Sequence, residues 1–154
     1  MPIPNPAFPN SSAVNPGSGV TTTRTVTFNY RDAADSANLQ TLWGLTNASL
    51  DARSACYFAY HAPSNTLFLF PDDGNGALAT SINLTDLNSI ENSQCRISAI
   101  GSSVNRSGNS LTLTLNITYK PAFVGPKIIW TAASTLANAV SPWKASGAWL
   151  VPMF

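Results

Sequence analysis

The sequence predicts an all-β protein built as an antiparallel β-sandwich. Its clearest signal is the stretch LTLTLNITY, residues 111–119, in which apolar and polar side chains alternate at every position. An alternation with a period of two is typical of a strand that buries one face, and it excludes a helix. Similar stretches recur along the chain, separated by turn-forming residues every 8 to 14 positions. This spacing favours a sandwich of about seven to nine short strands.

The first half of the chain contains several of these predicted strands. Residues 21–30 place Val26, Phe28 and Tyr30 on one face and Thr and Asn on the other. LQTLWGLT follows, and residues 55–70 then predict a hairpin in which ACYFAYH and TLFLF flank the turn APSN. In ACYFAYH, one face carries Cys56, Phe58 and Tyr60, and the opposite face carries Tyr57, Ala59 and His61.

The second half continues the pattern. SVNRSGNS, residues 103–110, predicts a turn before the long alternating strand, and Gly125-Pro126 predicts a break after it. KIIWTAAS and GAWLVP then supply the last strands.

Residues 1–20 differ from the rest because they hold five of the eleven prolines. Proline favours extended, semi-rigid chain, so this segment is predicted to be a linker or tail that precedes a β-sandwich domain over residues 21–154. The alternative is that it packs along a sheet edge, anchored by Phe8 and Val14.

Composition limits the partners of this chain. It carries only 8 basic and 7 acidic side chains, whereas Asn, Ser and Thr together number 48. A net charge of +1 without a Lys or Arg cluster excludes nucleic acid as a partner. No apolar run approaches the roughly 20 residues of a membrane-spanning helix, so membrane insertion is not expected.

The chain has two cysteines, Cys56 and Cys95, and both lie in predicted strands. A single pair in a chain of this composition favours a disulfide formed in an oxidising compartment. Two buried free thiols are the alternative.

Three longer stretches resemble a known family. They are ACYFAYHAPSNTLFLFPDDG, ENSQCRISAIGSSVNRSGNSLTLTLNITYKPAFVGPKIIW and SPWKASGAWLVP. Together they are similar to the repeated immunoglobulin-like domains of very large secreted bacterial proteins. The resemblance covers about residues 15–152, with NSQC and SGNSLTLTL its most specific parts. It departs at RDAADSANL, where the family usually has an Asp-Pro-Asn-Gly type of turn.

This resemblance implies an immunoglobulin-like β-sandwich, a disulfide between Cys56 and Cys95, and an extracellular location. It implies no reaction and no cofactor. His61 has no second His and no triad spacing around it, so an ordinary loop histidine is the preferred interpretation.

Exposed aromatic side chains are the best candidates for a ligand site. Sugar-binding β-sandwiches stack pyranose rings on such groups, and Trp143 lies in a predicted loop between Pro142 and Lys144. Tyr57 and His61 come next, while a packed loop anchor is the alternative for Trp143. Three other tryptophans lie inside strand patterns and are predicted to be core: Trp43, Trp130 and Trp149.

Acidic residues offer two weaker hypotheses. Asp72, Asp73 and Asn75 form an oxygen-rich loop that is a weak calcium candidate, although its spacing does not match an EF-hand. A small hydrolase using Asp72, Asp73 or Glu91 is the least favoured interpretation, because adjacent aspartates in a turn do not flank a substrate.

Together these observations predict a non-catalytic structural or adhesive module, secreted or on a cell surface. Its predicted partners are further copies of itself or neighbouring domains of the same protein, reached through the N-terminal segment or through sheet edges that carry few charges. A carbohydrate-binding module that contacts polysaccharide is the alternative.

Overall fold

The chain folds into two packed β-sheets, as a computed structural model that describes residues 10–153 shows. The strands are β1 (Asn10–Asn15), β2 (Ser18–Val20), β3 (Thr23–Arg31), β4 (Leu39–Asn47), β5 (Cys56–His61), β6 (Thr66–Leu69), β7 (Thr80–Asn83), β8 (Ser89–Glu91), β9 (Cys95–Ser107), β10 (Ser110–Tyr119), β11 (Gly125–Thr135) and β12 (Lys144–Val151). No α-helix occurs in this described part of the chain.

The two sheets form a β-sandwich, which confirms the predicted fold class. Sheet A has five strands in the order β1-β3-β10-β9-β8, and sheet B has seven in the order β2-β12-β11-β4-β5-β6-β7. The strands outnumber the seven to nine predicted, because β1, β2, β7 and β8 are short edge strands without a clear alternating signature. All pairs are antiparallel except β2 with β12, which is parallel.

The N-terminal segment, predicted as a linker over residues 1–20, is folded from residue 10 onward. β1 extends the edge of sheet A beside β3, and β2 extends the edge of sheet B beside β12. Val14 is only 5% exposed, so it anchors the segment as the sheet-edge alternative expected. Residues 10–15 contain no proline, which leaves their amides free to pair. The β-sandwich therefore begins before residue 21, while Phe8 and the rest of residues 1–9 lie outside the described part.

Two predicted turns are also corrected. β9 continues to Ser107 and β10 begins at Ser110, so the turn predicted over residues 103–110 consists of Gly108 and Asn109 alone. Gly108 adopts a φ of 58°, which suits a tight hairpin turn. Gly125-Pro126 starts β11 instead of breaking the chain, since proline is tolerated at the first residues of a strand.

The core lies between the sheets and uses the alternation read from the sequence. Val26, Phe28 and Tyr30 of β3 are fully buried, as predicted. The rings of Phe28 and Phe58 meet edge to face across the sandwich with centroids 5.0 Å apart. The Tyr30 hydroxyl donates a hydrogen bond to the carbonyl oxygen of Trp43, 3.0 Å away, which ties sheet A to sheet B.

A disulfide joins Cys56 of β5 to Cys95 of β9. This confirms the pairing implied by the resemblance, and it excludes the alternative of two free thiols. Because β5 belongs to sheet B and β9 to sheet A, the bond is a covalent link between the two sheets. No helix within residues 10–153 has the length and apolar character needed to cross a membrane.

Candidate functional site: the outer face of sheet B

The outer face of sheet A is polar, with mostly neutral side chains and the charged residues Arg31, Glu91 and Arg96. Hydroxyl and amide side chains point outward from β3 and β10 and form hydrogen bonds across the strands, including Thr27 with Thr114 at 3.5 Å and Asn29 with Thr112 at 3.1 Å. Most outward positions of these two strands are therefore Thr, Asn or Ser.

The outer face of sheet B differs from that of sheet A, because it is apolar. The strand registers bring large apolar groups next to one another on this face: Trp43, Leu45, Tyr57, Phe68, Ile128 and Trp130. Leu45, Ala59 and Ala132 are buried even though they face outward, since larger rings at cross-strand positions cover them. A strand with apolar groups on both faces is typical of a sheet that is covered on both sides.

A cleft of about 210 Å³ opens on this face. Its lining residues come from β4, β5, β11 and the connection between β11 and β12: Trp43, Tyr57, Ala132, Val140, Ser141 and Trp143. The ring of Tyr57 stacks on Phe70 with centroids 3.9 Å apart, and it meets the ring of Trp143 edge to face at 5.9 Å. Burial raises the pKa of the Tyr57 hydroxyl, so this group is a neutral donor at physiological pH.

The connection that carries Trp143 is fixed to sheet B by hydrogen bonds. The amide of Ala133 donates to Ser141 Oγ at 2.9 Å, and the amide of Ser141 donates to the carbonyl of Ala133 at 2.9 Å. Val140 forms an isolated antiparallel bridge with Ser134. Trp143 therefore projects from an ordered loop and is half-buried against Tyr57.

The structure thus brings together two of the three predicted ligand-binding residues. Trp143 and Tyr57 share the cleft, but His61 does not line it. His61 lies four residues further along β5, a distance of roughly 13 Å at about 3.3 Å per residue. Its Nδ1 atom is 2.7 Å from Ser64 Oγ, which fits the interpretation as a loop histidine.

Sequence reasoning assigned Trp43 to the core, and this was wrong. Trp43 points outward, is half-buried, and lies opposite Ala59 and Ala132 on the neighbouring strands. Trp130 is likewise half-buried on the outer face, whereas Trp149 is 2% exposed and belongs to the core as predicted. The signal that identifies Trp43 is the alternation itself, since Leu42 and Gly44 on either side of it face inward.

A second feature of this face, which we call the aliphatic patch, lies toward β2. It consists of exposed residues on three adjacent strands: Val20, Pro126, Ile128, Ala148 and Leu150. Leu150 pairs with both Val20 and Pro126, and Ala148 pairs with Ile128. Val20 is 64% exposed, Leu150 42% and Ile128 37%, so these side chains offer free apolar surface.

The acidic loop predicted as a weak calcium candidate uses its oxygens within the protein. Asp73 Oδ1 accepts a hydrogen bond from the amide of Asn75, Asn75 Oδ1 accepts from Ala77, and Asp72 Oδ1 accepts from Ser93. No group of three or more His, Cys, Asp or Glu side chains suited to a metal ion occurs among residues 10–153. The geometry gives these residues a role as loop caps.

Asp72 and Glu91 line a separate cleft of about 330 Å³ together with Lys120. Lys120 Nζ lies 3.0 Å from Glu91 Oε1 and also donates to the carbonyl of Asn92. This contact lowers the pKa of Glu91. A general acid in glycoside hydrolysis needs a raised pKa, so Glu91 has the opposite of the required property.

No protein-family model matches the chain, and a comparison with curated proteins finds no match. The functional interpretation accordingly depends on the outer face of sheet B.

Proposed function

We propose that the protein is a non-catalytic, extracellular structural or adhesive module that associates with copies of itself through the aliphatic patch. The observation that supports this most strongly is the contrast between the two outer faces. The face of sheet A is covered by polar groups, most of them neutral, whereas the face of sheet B exposes Val20, Ile128 and Leu150 on adjacent strands. Exposed apolar patches on soluble proteins mark sites of interaction.

A second copy of the chain fits this patch by its lack of charge. None of the five patch residues is ionisable, so two patches brought together face to face neither repel each other nor bury an unpaired charge. An isologous contact of this kind is the arrangement of most homodimers, in which each copy presents the same surface.

The N-terminal segment, which the sequence suggested as one means of association, is less suitable. Its strands β1 and β2 are already paired within the two sheets. Donation of this segment to another subunit would require both strands to detach and Val14 to leave the core. The patch needs no such rearrangement.

The size of the aliphatic patch sets the strength of the contact. Its five residues lie on the three adjacent strands β2, β12 and β11, so it spans two strand spacings of about 4.8 Å, and Pro126 to Ile128 adds roughly 7 Å along the strand. A standard stable interface buries about 800 Å² per partner. Isolated copies should therefore associate weakly, and linked copies should associate more strongly through avidity.

An extracellular location is supported by the disulfide. Such bonds persist in oxidising compartments and are rare in the cytosol. In this chain the bond links the two sheets, so its presence contributes to the stability of the whole sandwich.

Sedimentation equilibrium over a range reaching millimolar concentration tests the proposal. The wild type should show reversible association, and Ile128→Asp should remain monomeric because it places a carboxylate in the patch. Thr25→Asp adds the same charge at an exposed position on sheet A and should associate like the wild type. A wild type that stays monomeric at the highest concentration, or equal loss in both variants, would refute the role of the patch.

A further inference from the structure

We infer that the aromatic cleft formed by Trp43, Tyr57 and Trp143 binds a neutral pyranose unit of a polysaccharide. This site is adjacent to the aliphatic patch but shares no residue with it. It therefore adds a ligand-binding activity to the proposed self-association, and the two can be tested separately.

The shape of the cleft suits a sugar ring. Rings of Trp43, Tyr57 and Trp143 line it, and the planes of Tyr57 and Trp143 are inclined at 67° to each other. Aromatic faces carry negative potential and bind the C–H edges of a neighbouring group favourably. A pyranose ring has one face lined by C–H groups and a periphery of hydroxyls, so it can stack on one ring while its edge meets a second.

The polar groups at the cleft are hydrogen-bond donors. Within the described residues, no protein group accepts a hydrogen bond from the indole N–H of Trp43, the indole N–H of Trp143 or the hydroxyl of Tyr57. These three donors suit a ligand rich in hydroxyl oxygens. Ser141 Oγ accepts the Ala133 amide and keeps its own proton for donation.

The lining of the cleft is uncharged. Neither a carboxylate nor an ammonium group lines the cleft. Burying an ionised ligand group there would leave its charge unpaired and costly, which selects against uronic acids and sulfated sugars. A neutral sugar carries no such penalty.

The walls of the cleft are fixed in place, and its volume fits one sugar ring. Tyr57 is fixed by its stacking on Phe70, and the loop of Trp143 is bonded to Ala133 through Ser141. A preformed site loses little conformational freedom on binding. Its volume of about 210 Å³ is below the range of roughly 300–1,000 Å³ that accommodates drug-sized ligands, so it holds one sugar ring.

Affinity electrophoresis in native gels tests this inference, using hydroxyethylcellulose, glucomannan, xylan and dextran as neutral probes and alginate as the charged probe. The wild type should be retarded by at least one neutral polysaccharide and not by alginate. Trp143→Ala should abolish the retardation or weaken the affinity by about tenfold or more, because it removes one aromatic wall. Trp130→Ala is the matched control, since it removes a half-buried outward tryptophan that does not line the cleft.

A second variant distinguishes loss of the binding site from misfolding of Trp143→Ala. Val140 is 53% exposed on the rim, so Val140→Arg fills the opening without touching the core, and it should also abolish retardation. Ile128→Asp should be retarded like the wild type, which separates this site from the self-association patch. Mobility unchanged by all four neutral probes, or retardation that persists in both Trp143→Ala and Val140→Arg, would overturn the inference.

Discussion

Removal of the Cys56–Cys95 disulfide should cost the protein a large part of its stability. The bond closes a sequence separation of 39 residues, for which the chain-entropy model gives about 4 kcal/mol at 25 °C. Cys56 and Cys95 are 2% and 0% exposed, so loss of the sulfur atoms from the core adds a smaller penalty. A domain of this size typically has only about 5–15 kcal/mol of unfolding free energy in total.

Calorimetry of the double variant Cys56→Ala/Cys95→Ala measures this effect. For a domain of about 150 residues each kcal/mol corresponds to roughly 2–4 °C, so Tm should fall by about 8–16 °C. A reductant present during unfolding should lower the Tm of the wild type but leave that of the double variant unchanged. A double variant whose Tm stays within about 2 °C of the wild type, or alkylation of the native protein at both cysteines, would refute the reasoning.

Three further predictions concern the core and one acidic turn. Gly44→Ala places a Cβ atom at the buried ring of Phe58, and the overpacking should lower the unfolding free energy by about 1–3 kcal/mol in urea denaturation; an unchanged midpoint would contradict the close approach. Tyr30→Phe leaves the Trp43 carbonyl without its donor and should cost about 1 kcal/mol in the same assay, with a gain in stability as the contrary result. Burial opposes ionisation of Asp32, but hydrogen bonds from two backbone amides and one side chain outweigh it and lower the pKa from 3.8. A carboxyl with a lowered folded pKa stabilises fully above its unfolded pKa and loses this contribution as pH falls through the folded value. Asp32→Asn should therefore reduce stability at neutral pH and flatten the acid dependence below about pH 4, and equal pH profiles for variant and wild type would count against the assignment.

Much of the fold could be predicted from the sequence because one face of each long strand is buried against the other sheet. In β10 the strict alternation of Leu and Ile with Thr and Asn specified both the strand and its core face. The short edge strands could not be predicted in the same way. β2 and β8 have three residues each, too few for a period to be visible, and their pairing depends on the longer strand beside them.

The candidate site was only partly predictable, for a different reason. Alternation marks which side chains share a face, but in a strand that is apolar on both faces it does not show which face is the core. In β5, Tyr57 and Ala59 interrupt the alternation, and this continuous apolar run is the sequence signal of a strand covered on both sides. Trp43 was assigned to the core because a tryptophan inside a strand is usually buried, whereas its register places it beside Tyr57 and Trp143.

The local geometry of the remaining candidate residues could not be read from spacing alone. Asp72, Asp73 and Asn75 form an oxygen-rich stretch, but each caps a backbone amide in its own or a neighbouring turn. His61 shares the outer face of β5 with Tyr57 but lies too far along the strand to reach the cleft. The spacing of these residues in the sequence does not show which backbone amide each side chain caps or how far from the cleft it lies.

The outer face of sheet B, and not that of sheet A, is the proposed interaction surface. Backbone amide chemical shifts followed from micromolar to millimolar protein test it most directly. We expect concentration-dependent shifts confined to the aliphatic patch and its neighbours, centred on Ile128 and Leu150, with the Thr27 and Thr114 region of sheet A unchanged. Shifts centred on sheet A, or none over the whole range, would contradict the account.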